Sequence, residues 1–242
     1  MIQKTLKEQL INEYPYKIEL HAHTKPVSPC SEISPTEMVE TYNKKGYNGI
    51  AITNHFIEWM FNDKTKEDSL NYYLSDFEET KKEAEKYGIK VYLGIELRFN
   101  ENNNDYLIYG ADREILSICY DNFHAGIEKF RKEIKLPNSV FIQAHPFRDG
   151  MELVDPDLLD GIETFNLHPG HNSRVALAAR YAKENNILIK TAGSDFHHPD
   201  KGHEAVSALR TKVLPEDSFE LAEILKSGDY IFEIGEDSIL IP

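Results

Sequence analysis

Tyr16-Lys-Ile-Glu-Leu20-His21-Ala-His23 is the stretch of this 242-residue chain on which the reading of the fold turns. Its first residues alternate as a half-buried strand does, and the alternation ends at two histidines one residue apart. Side chains of an extended segment alternate between faces, so His21 and His23 point the same way. The pattern of an apolar run ending at a histidine or carboxylate then recurs. Gly49-Ile-Ala-Ile-Thr53 leads into Asn54-His55, Lys90-Val-Tyr-Leu-Gly-Ile95 into Glu96, and Val140-Phe-Ile-Gln-Ala144 into His145. Gly161-Ile-Glu-Thr-Phe165 leads into Asn166, and Ile187-Leu-Ile-Lys-Thr191 into Gly193-Ser-Asp195-Phe-His197; Asp105–Tyr109 is a further strand.

Helical segments separate these runs. Residues 2–13 read as a short amphipathic helix. Ser34-Pro35-Thr36-Glu37 carries a capping box with proline in the first turn, and the helix it opens runs to Lys45 and stops at Gly46. A long charged helix spans about 68–87, closed by Gly88. The tail holds strand-like runs from Ala205 to Val213 and from Asp229 to Ile234 around a helix from about Pro215 to Lys226. Strands alternating with helices predict an α/β fold of βαβ units with a mainly parallel sheet. Seven or eight such units in a chain of this size favour a closed, TIM-like (β/α) barrel over an open sheet. No Gly-rich linker or composition shift interrupts the chain, so residues 1–242 are expected to form one domain.

Composition narrows the class of partner. Hydrophobic residues at 40% and charged residues at 28% are ordinary globular proportions. A formal charge of −14 argues against long nucleic acid, which calls for a basic stripe, but leaves small phosphate esters open. Cys30 and Cys119 lack the Cys-x-x-Cys spacing of a thiolate zinc site, and a reducing compartment fits them best. The N-terminus mixes polar and apolar residues unlike a signal peptide, and no run approaches the roughly 18–20 apolar residues of a membrane span. A cytoplasmic protein without membrane contact is expected; oligomeric state has no signature in the sequence.

In a βα barrel the C-terminal strand ends open on one mouth. His21, His23, His55, Glu96, His145, Asp195 and His197 are therefore predicted to meet there, far apart as they are in sequence. Any one such histidine alone would more often be a surface or hydrogen-bonding residue; their joint placement carries the reading. Imidazole nitrogen and carboxylate oxygen suit Zn²⁺, Mn²⁺ or Fe²⁺. The set exceeds one tetrahedral site, so two ions bridged by Glu96 or Asp195 are expected, an arrangement suited to phosphoryl transfer.

The segments Leu20-His21-Ala-His23-Thr24, Ile52-Thr-Asn54-His55, Gly94-Ile-Glu96, Gln143-Ala-His145-Pro146 and Gly193-Ser-Asp195-Phe-His197 resemble, in order, the motifs of the polymerase and histidinol phosphatase (PHP) family. The resemblance implies a distorted seven-stranded βα barrel, two or three divalent metal ions, and hydrolysis of phosphoesters by a metal-activated water. Carried over by motif, His21, His23, Glu96 and Asp195 resemble the ligands of one ion, Glu96 and His145 those of a second, and His55 with His197 those of a third. The chain departs from the pattern in three places. Asn54 stands where many members have Asp. The stretch Ser28-Pro-Cys30-Ser-Glu32 lacks the usual His or Asp, leaving Cys30 either as a substitute ligand or as a buried thiol. Asp105 stands near the place of a family histidine, as a ligand of the second ion or a solvated carboxylate at a strand start.

Substrate contacts are expected from Arg148, which follows His145, and from His171 and Arg174, in the loop after Asn166 where a helix begins. His197 or His171 is expected to protonate the leaving alkoxide. Lys25 and His124 read as solvated residues, while His198 and His203 read as rim residues and His168 lies near the mouth. The expected reaction is hydrolysis of a small phosphomonoester, of histidinol-phosphatase or nucleotide-phosphatase type. Phosphodiesterase or exonuclease action on short oligonucleotides, an amidohydrolase reaction and a non-catalytic PHP module are the competing readings.

Overall fold

A computed structural model describes residues 5–199, 206–235 and 238–242. The expectations for His203, for Ala205 as a strand start and for residues 2–4 as helix lie outside the described residues. Twelve strands form among them: β1 (Tyr16–Ala22), β2 (Gly49–Ile52), β3 (His55–Phe56), β4 (Lys90–Leu93), β5 (Ile95–Arg98), β6 (Asp105–Tyr109), β7 (Val140–Gln143), β8 (Gly161–Asn166), β9 (Ile189–Gly193), β10 (Ser207–Thr211), β11 (Ile231–Ile234) and β12 (Ser238–Leu240). They pair as two six-stranded sheets, ordered β12-β11-β10-β1-β2-β4 and β3-β5-β6-β7-β8-β9.

The fold is α/β, but both sheets are mixed, with as many antiparallel as parallel pairings. The α/β expectation holds, and among the described residues the strands form two sheets rather than one closed ring of seven. The reason is local. Strands β5 and β6 are joined by residues 99–104, too few for the helical crossover that a parallel pair needs, so they form a hairpin. The tail strands β10, β11 and β12 likewise run antiparallel.

The sheets remain continuous around the site. One chain segment supplies β4 to the first sheet and β5 to the second, turning at Gly94, where a side chain would come within 2.6 Å of Thr53 Cγ2. The chain passes from β2 to β3 in the same way through Thr53 and Asn54. At the opposite edge Ala22 and Phe196 form a parallel bridge, so the ends of β1 and β9 lie side by side.

Helices cover the outside: α1 (Leu6–Glu13), α2 (Pro35–Lys44), α3 (Lys66–Ala84), α4 (Arg113–Tyr120), α5 (Gly126–Glu133), α6 (Val175–Glu184) and α7 (Ser218–Ser227). The capping box read from Ser34 and Glu37 is formed at the start of α2. A short turn after α3 ends at Gly88 in the left-handed conformation, as its position predicts. Ile18, Leu20, Ala51, Leu107, Ile142, Ala192 and Leu209 from both sheets make a central apolar layer. Phe56, Tyr73, Phe123, Phe130 and Phe141 make a second beneath the helices. Fully burying each such side chain contributes about 1.5–3 kcal/mol, which fixes the strand ends above them. No described helix is long and apolar enough to cross a membrane.

Candidate metal centre

The predicted side chains converge. His21 lies on β1, with His23 just past its end; His55 lies on β3 and Glu96 on β5; His145 follows β7, and Asp195 and His197 follow β9. Asp105 joins them because β6 runs antiparallel to both neighbours, bringing its first residue to the end where they carry Glu96 and His145. His145 (φ 30°) and Asp195 (φ 51°) hold left-handed backbone, uncommon outside glycine and typical of strained functional positions.

Glu96 is the hub. Its Oε1 lies 3.3 Å from His21 Nε2 and 3.1 Å from His145 Nε2. Its Oε2 lies 3.3 Å from His23 Nε2 and 2.7 Å from His55 Nδ1. Asp195 Oδ1 is 3.5 Å from His21 Nε2, 3.4 Å from His23 Nε2 and 3.4 Å from His197 Nδ1. Three sets of donors each fall within 4.8 Å: His21, His23 and Glu96; His23, His55 and His197; His55, Glu96 and Asp105.

Hydrogen bonds do not account for all of these buried atoms. His55 Nδ1 and Glu96 Oε2 are buried and close, yet neither has a hydrogen-bond partner, and His145 Nδ1 is also unpartnered. Buried polar atoms left so are costly, and a close imidazole nitrogen and carboxylate oxygen are atoms a cation would satisfy. The outer nitrogens fix the ring tautomers. Glu163 Oε1 accepts from His21 Nδ1 at 2.8 Å, leaving Nε2 to face Glu96 and Asp195. Ser28 Oγ donates its one proton to Asn54 Oδ1, so it accepts from His23 Nδ1 at 3.1 Å. Carboxylates and hydroxyls behind ligating histidines orient them and raise their basicity.

Electrostatics agree. Burial opposes a charge on His21, but the carboxylates of Glu163, Asp195 and Glu96 outweigh it and hold the pKa well above the ordinary imidazole value. His55 is raised in the same way against its burial, chiefly by Glu96. His23 is lowered well below, by burial and by His197 and His55. Against their burial, Glu96 is held ionised by His55 and His21, and Asp195 by His21 and Arg148. The residues fit divalent metal.

A cleft of about 440 Å³ opens onto the cluster, lined by Cys30, His55, Arg98, Asp105, Arg148, His168, His171, Asp195 and His197 among others. Arg148 Nη2 donates to Asp195 Oδ2 and, at 2.8 Å, to Asn166 Oδ1. Arg174 does not itself line the cleft; its guanidinium donates to Phe147 O at 2.8 Å and to Asp149, a residue of the cleft wall, at 2.6 Å. Burial lowers His168 to about 4, and burial with Arg148 lowers His171.

Asp105 is not a solvated carboxylate. It is buried, paired through both oxygens with Arg98 Nε and Nη2 at 2.7 Å each, and 3.8 Å from His145 Nε2. Cys30 is not a buried thiol. It is an exposed, free cysteine at the rim, and hydrogen bonds with His197 and His55, working against partial burial, lower it to about 6. His124 is exposed, as expected, beside Glu58. His198 faces Glu32 at the rim.

Two residues of the site escaped the sequence reading. Glu163 lies in mid-β8, where an ionisable side chain in an otherwise apolar strand was the available signal. Arg98 follows Glu96 by two, so strand alternation puts both on one face. Gly193 makes room for the Glu163 contact: a Cβ there would stand 2.3 Å from His21 Cβ and 2.5 Å from Glu163 Oε1.

Among solved structures, one shares the fold at low identity. A two-domain protein of Bacteroides vulgatus containing a predicted PHP-like metal-dependent phosphoesterase aligns with a TM-score of 0.60 at 16% identity, over 91% of this chain and 65% of its own. A protein of Bifidobacterium adolescentis assigned as a metal-dependent phosphoesterase aligns at 0.47 and 16% identity, over 76% of this chain and 89% of its own. An amidohydrolase of Chromobacterium violaceum aligns at 0.47 and 15% identity, over 76% and 88%. No curated protein sequence matches significantly. The PHP domain family matches residues 19–235, most of the chain and all of the clustered ligands, and the chain belongs to that family.

Proposed function

We propose that the protein is a phosphomonoester hydrolase dependent on two or three divalent ions, Zn²⁺, Mn²⁺ or Fe²⁺. The observation that carries the reading is the convergence of four histidine rings on Glu96, with buried donor atoms that lack hydrogen-bond partners. His21, His23, Glu96 and Asp195 would hold one ion, Glu96 and His145 with Asp105 a second, and His55 with His197 a third. Such ions supply Lewis acidity, lowering the pKa of water and offsetting charge on phosphoryl oxygens.

The chain's own groups do the rest. Arg148, fixed by Asp195 and Asn166, presents a guanidinium to the cleft for an equatorial phosphate oxygen. His171 lines the cleft with its pKa lowered by burial and by Arg148, so it offers the leaving oxygen an N–H hydrogen bond while water supplies the proton that the departing alkoxide takes up. Arg174 acts at one remove, bracing the segment that carries Arg148. Both cysteines are unpaired, which supports a reducing, cytoplasmic setting. The family match over residues 19–235 supports reading the chain as one domain, its two sheets being the distorted form of the barrel.

The test is metal analysis of the purified protein coupled to assay on p-nitrophenyl phosphate and bis(p-nitrophenyl) phosphate. Bound transition metal and release from the monoester alone are expected, with both lost in Asp195→Ala. Faster release from the diester would favour the phosphodiesterase reading. Absence of metal, with no hydrolysis after Mn²⁺ or Zn²⁺ is added, would overturn the proposal.

A further inference from the structure

Arg98 and Asp105 form a cross-strand pair at the open end of the β5–β6 hairpin, where their registered positions face each other. Their bond is bidentate, the strongest geometry available to a carboxylate and a guanidinium. The partners differ in surroundings. Asp105 is buried and belongs to a metal-competent trio with His55 and Glu96, whereas Arg98 is partly exposed in the cleft. Asp105 thus has two claimants, a divalent ion on one side and a guanidinium on the other.

The charge of the site decides between them. Glu96, Asp105, Glu163 and Asp195 are four carboxylates facing two guanidiniums, Arg98 and Arg148, before any histidine is protonated. Two divalent ions turn that deficit into an excess of two positive charges, which a phosphomonoester dianion cancels and a diester monoanion leaves half unmet. An ion shared by Glu96 and Asp105 also weakens the hold of Asp105 on Arg98, because both cations draw on the same oxygens.

We infer that Arg98 is a phosphate-binding residue that Asp105 holds in reserve, released toward the cleft when divalent metal takes up Asp105. The inference rests on the hydrolase reading for its substrate class but not for its geometry. Arg98 and Arg148 then flank one phosphate, so the site selects a dianionic monoester. A merely structural Arg98 would instead steady Asp105 for the metal, and the two roles differ in sign.

The experiment titrates the wild-type protein and Arg98→Ala with Mn²⁺, followed by electron paramagnetic resonance, and then titrates the Mn²⁺-loaded proteins with inorganic phosphate by calorimetry. Arg98→Ala should bind Mn²⁺ at least as tightly as wild type, and phosphate about tenfold or more weaker. Arg98→Lys, which keeps the charge without the fork, should recover only part of the phosphate affinity. Mn²⁺ binding weakened in Arg98→Ala, or phosphate affinity unchanged in both variants, would overturn the inference. Should Arg98→Ala fail to fold, Arg98→Lys alone decides, since full retention of phosphate affinity there excludes a bidentate role. Wild-type protein that binds Mn²⁺ and phosphate but hydrolyses no ester would sink the proposed function and leave this inference standing.

Discussion

Replacing Glu163 by Gln removes one charge and almost no volume, yet it should cripple metal binding. Three donors converge on this buried carboxylate: His21 Nδ1 on Oε1 at 2.8 Å, with the His145 backbone N–H at 2.9 Å and Asn166 Nδ2 at 3.0 Å both on Oε2. A glutamine offers one oxygen and one NH₂, so a donor must face a donor whichever way the amide turns. With the oxygen toward His21, the NH₂ opposes His145 N and Asn166 Nδ2. Asn166 cannot flip in reply, because its Oδ1 already accepts from Arg148, the His168 backbone N–H and Ser173. With the NH₂ toward His21, the imidazole must take the other tautomer, protonated on Nε2, the atom that faces Glu96 and Asp195. Loss of a group supporting a ligating histidine typically weakens metal binding about 10–100-fold. That is about 1.4–2.7 kcal/mol. Zn²⁺ affinity measured by chelator competition should fall in this range at pH 8.5. High pH matters, since Glu163 also raises the pKa of His21, and removing it eases proton competition at lower pH. Circular dichroism should report an unchanged fold. Affinity within a factor of two of wild type would refute the tautomer argument.

Gly193→Ala places a methyl group where His21 and Glu163 meet, so it should cost about 1–3 kcal/mol by overpacking and weaken metal binding more than it lowers Tm; a variant with normal metal affinity would show that the contact yields freely. Cys30, held to about 6, should be alkylated by iodoacetamide with a rate that rises to a plateau near neutral pH, and bound metal at His55 and His197 should slow it. An alkylation midpoint near 8.5, the ordinary thiol value, would count against its hydrogen bonds with those histidines. In the chelated protein, the raised pKa values of His21 and His55 contribute stability that is full below about pH 6.5 and lost as pH climbs through their folded values, while lowered His23 subtracts stability on the acid side. Metal binding must displace those same protons, so the rise in Tm given by saturating Mn²⁺ should grow between pH 6 and 8.5. A constant rise across that range would contradict the assigned shifts.

The ligands were legible because each stands where an apolar run ends, and the ends of extended segments are fixed by the cores beneath them. His21, His55, Glu96, His145 and Asp195 needed only strand periodicity and the tendency of adjacent strand ends to open on one side. Closure of the barrel was not legible by the same rule, since periodicity marks a strand without giving its direction. That information lay in the connections: Phe99-Asn-Glu-Asn-Asn-Asn104 is too short and too polar for a crossover helix, which forces a hairpin and brings Asp105 to the histidine and carboxylate cluster. Arg174 shows another limit. Its position at a helix start suggested an anion contact; its backbone is left-handed (φ 47°) and its guanidinium is engaged by Asp149 of the cleft wall, and neither is visible in residue order. Glu163 and Arg98 mark the opposite case. An ionisable residue on a largely buried strand needs a hydrogen-bond or charge partner, because leaving it alone costs several kcal/mol, so its presence announces one. Glu163 answers to His21 and Arg98 to Asp105, and both partners belong to the metal cluster. Glu163 and Arg98 thus form a layer behind the cluster, whereas Glu19 and Glu233, also ionisable and buried in strands, are satisfied elsewhere, Glu19 by Ser194 and Tyr42 and Glu233 by Arg210, so strand burial alone does not single out the site.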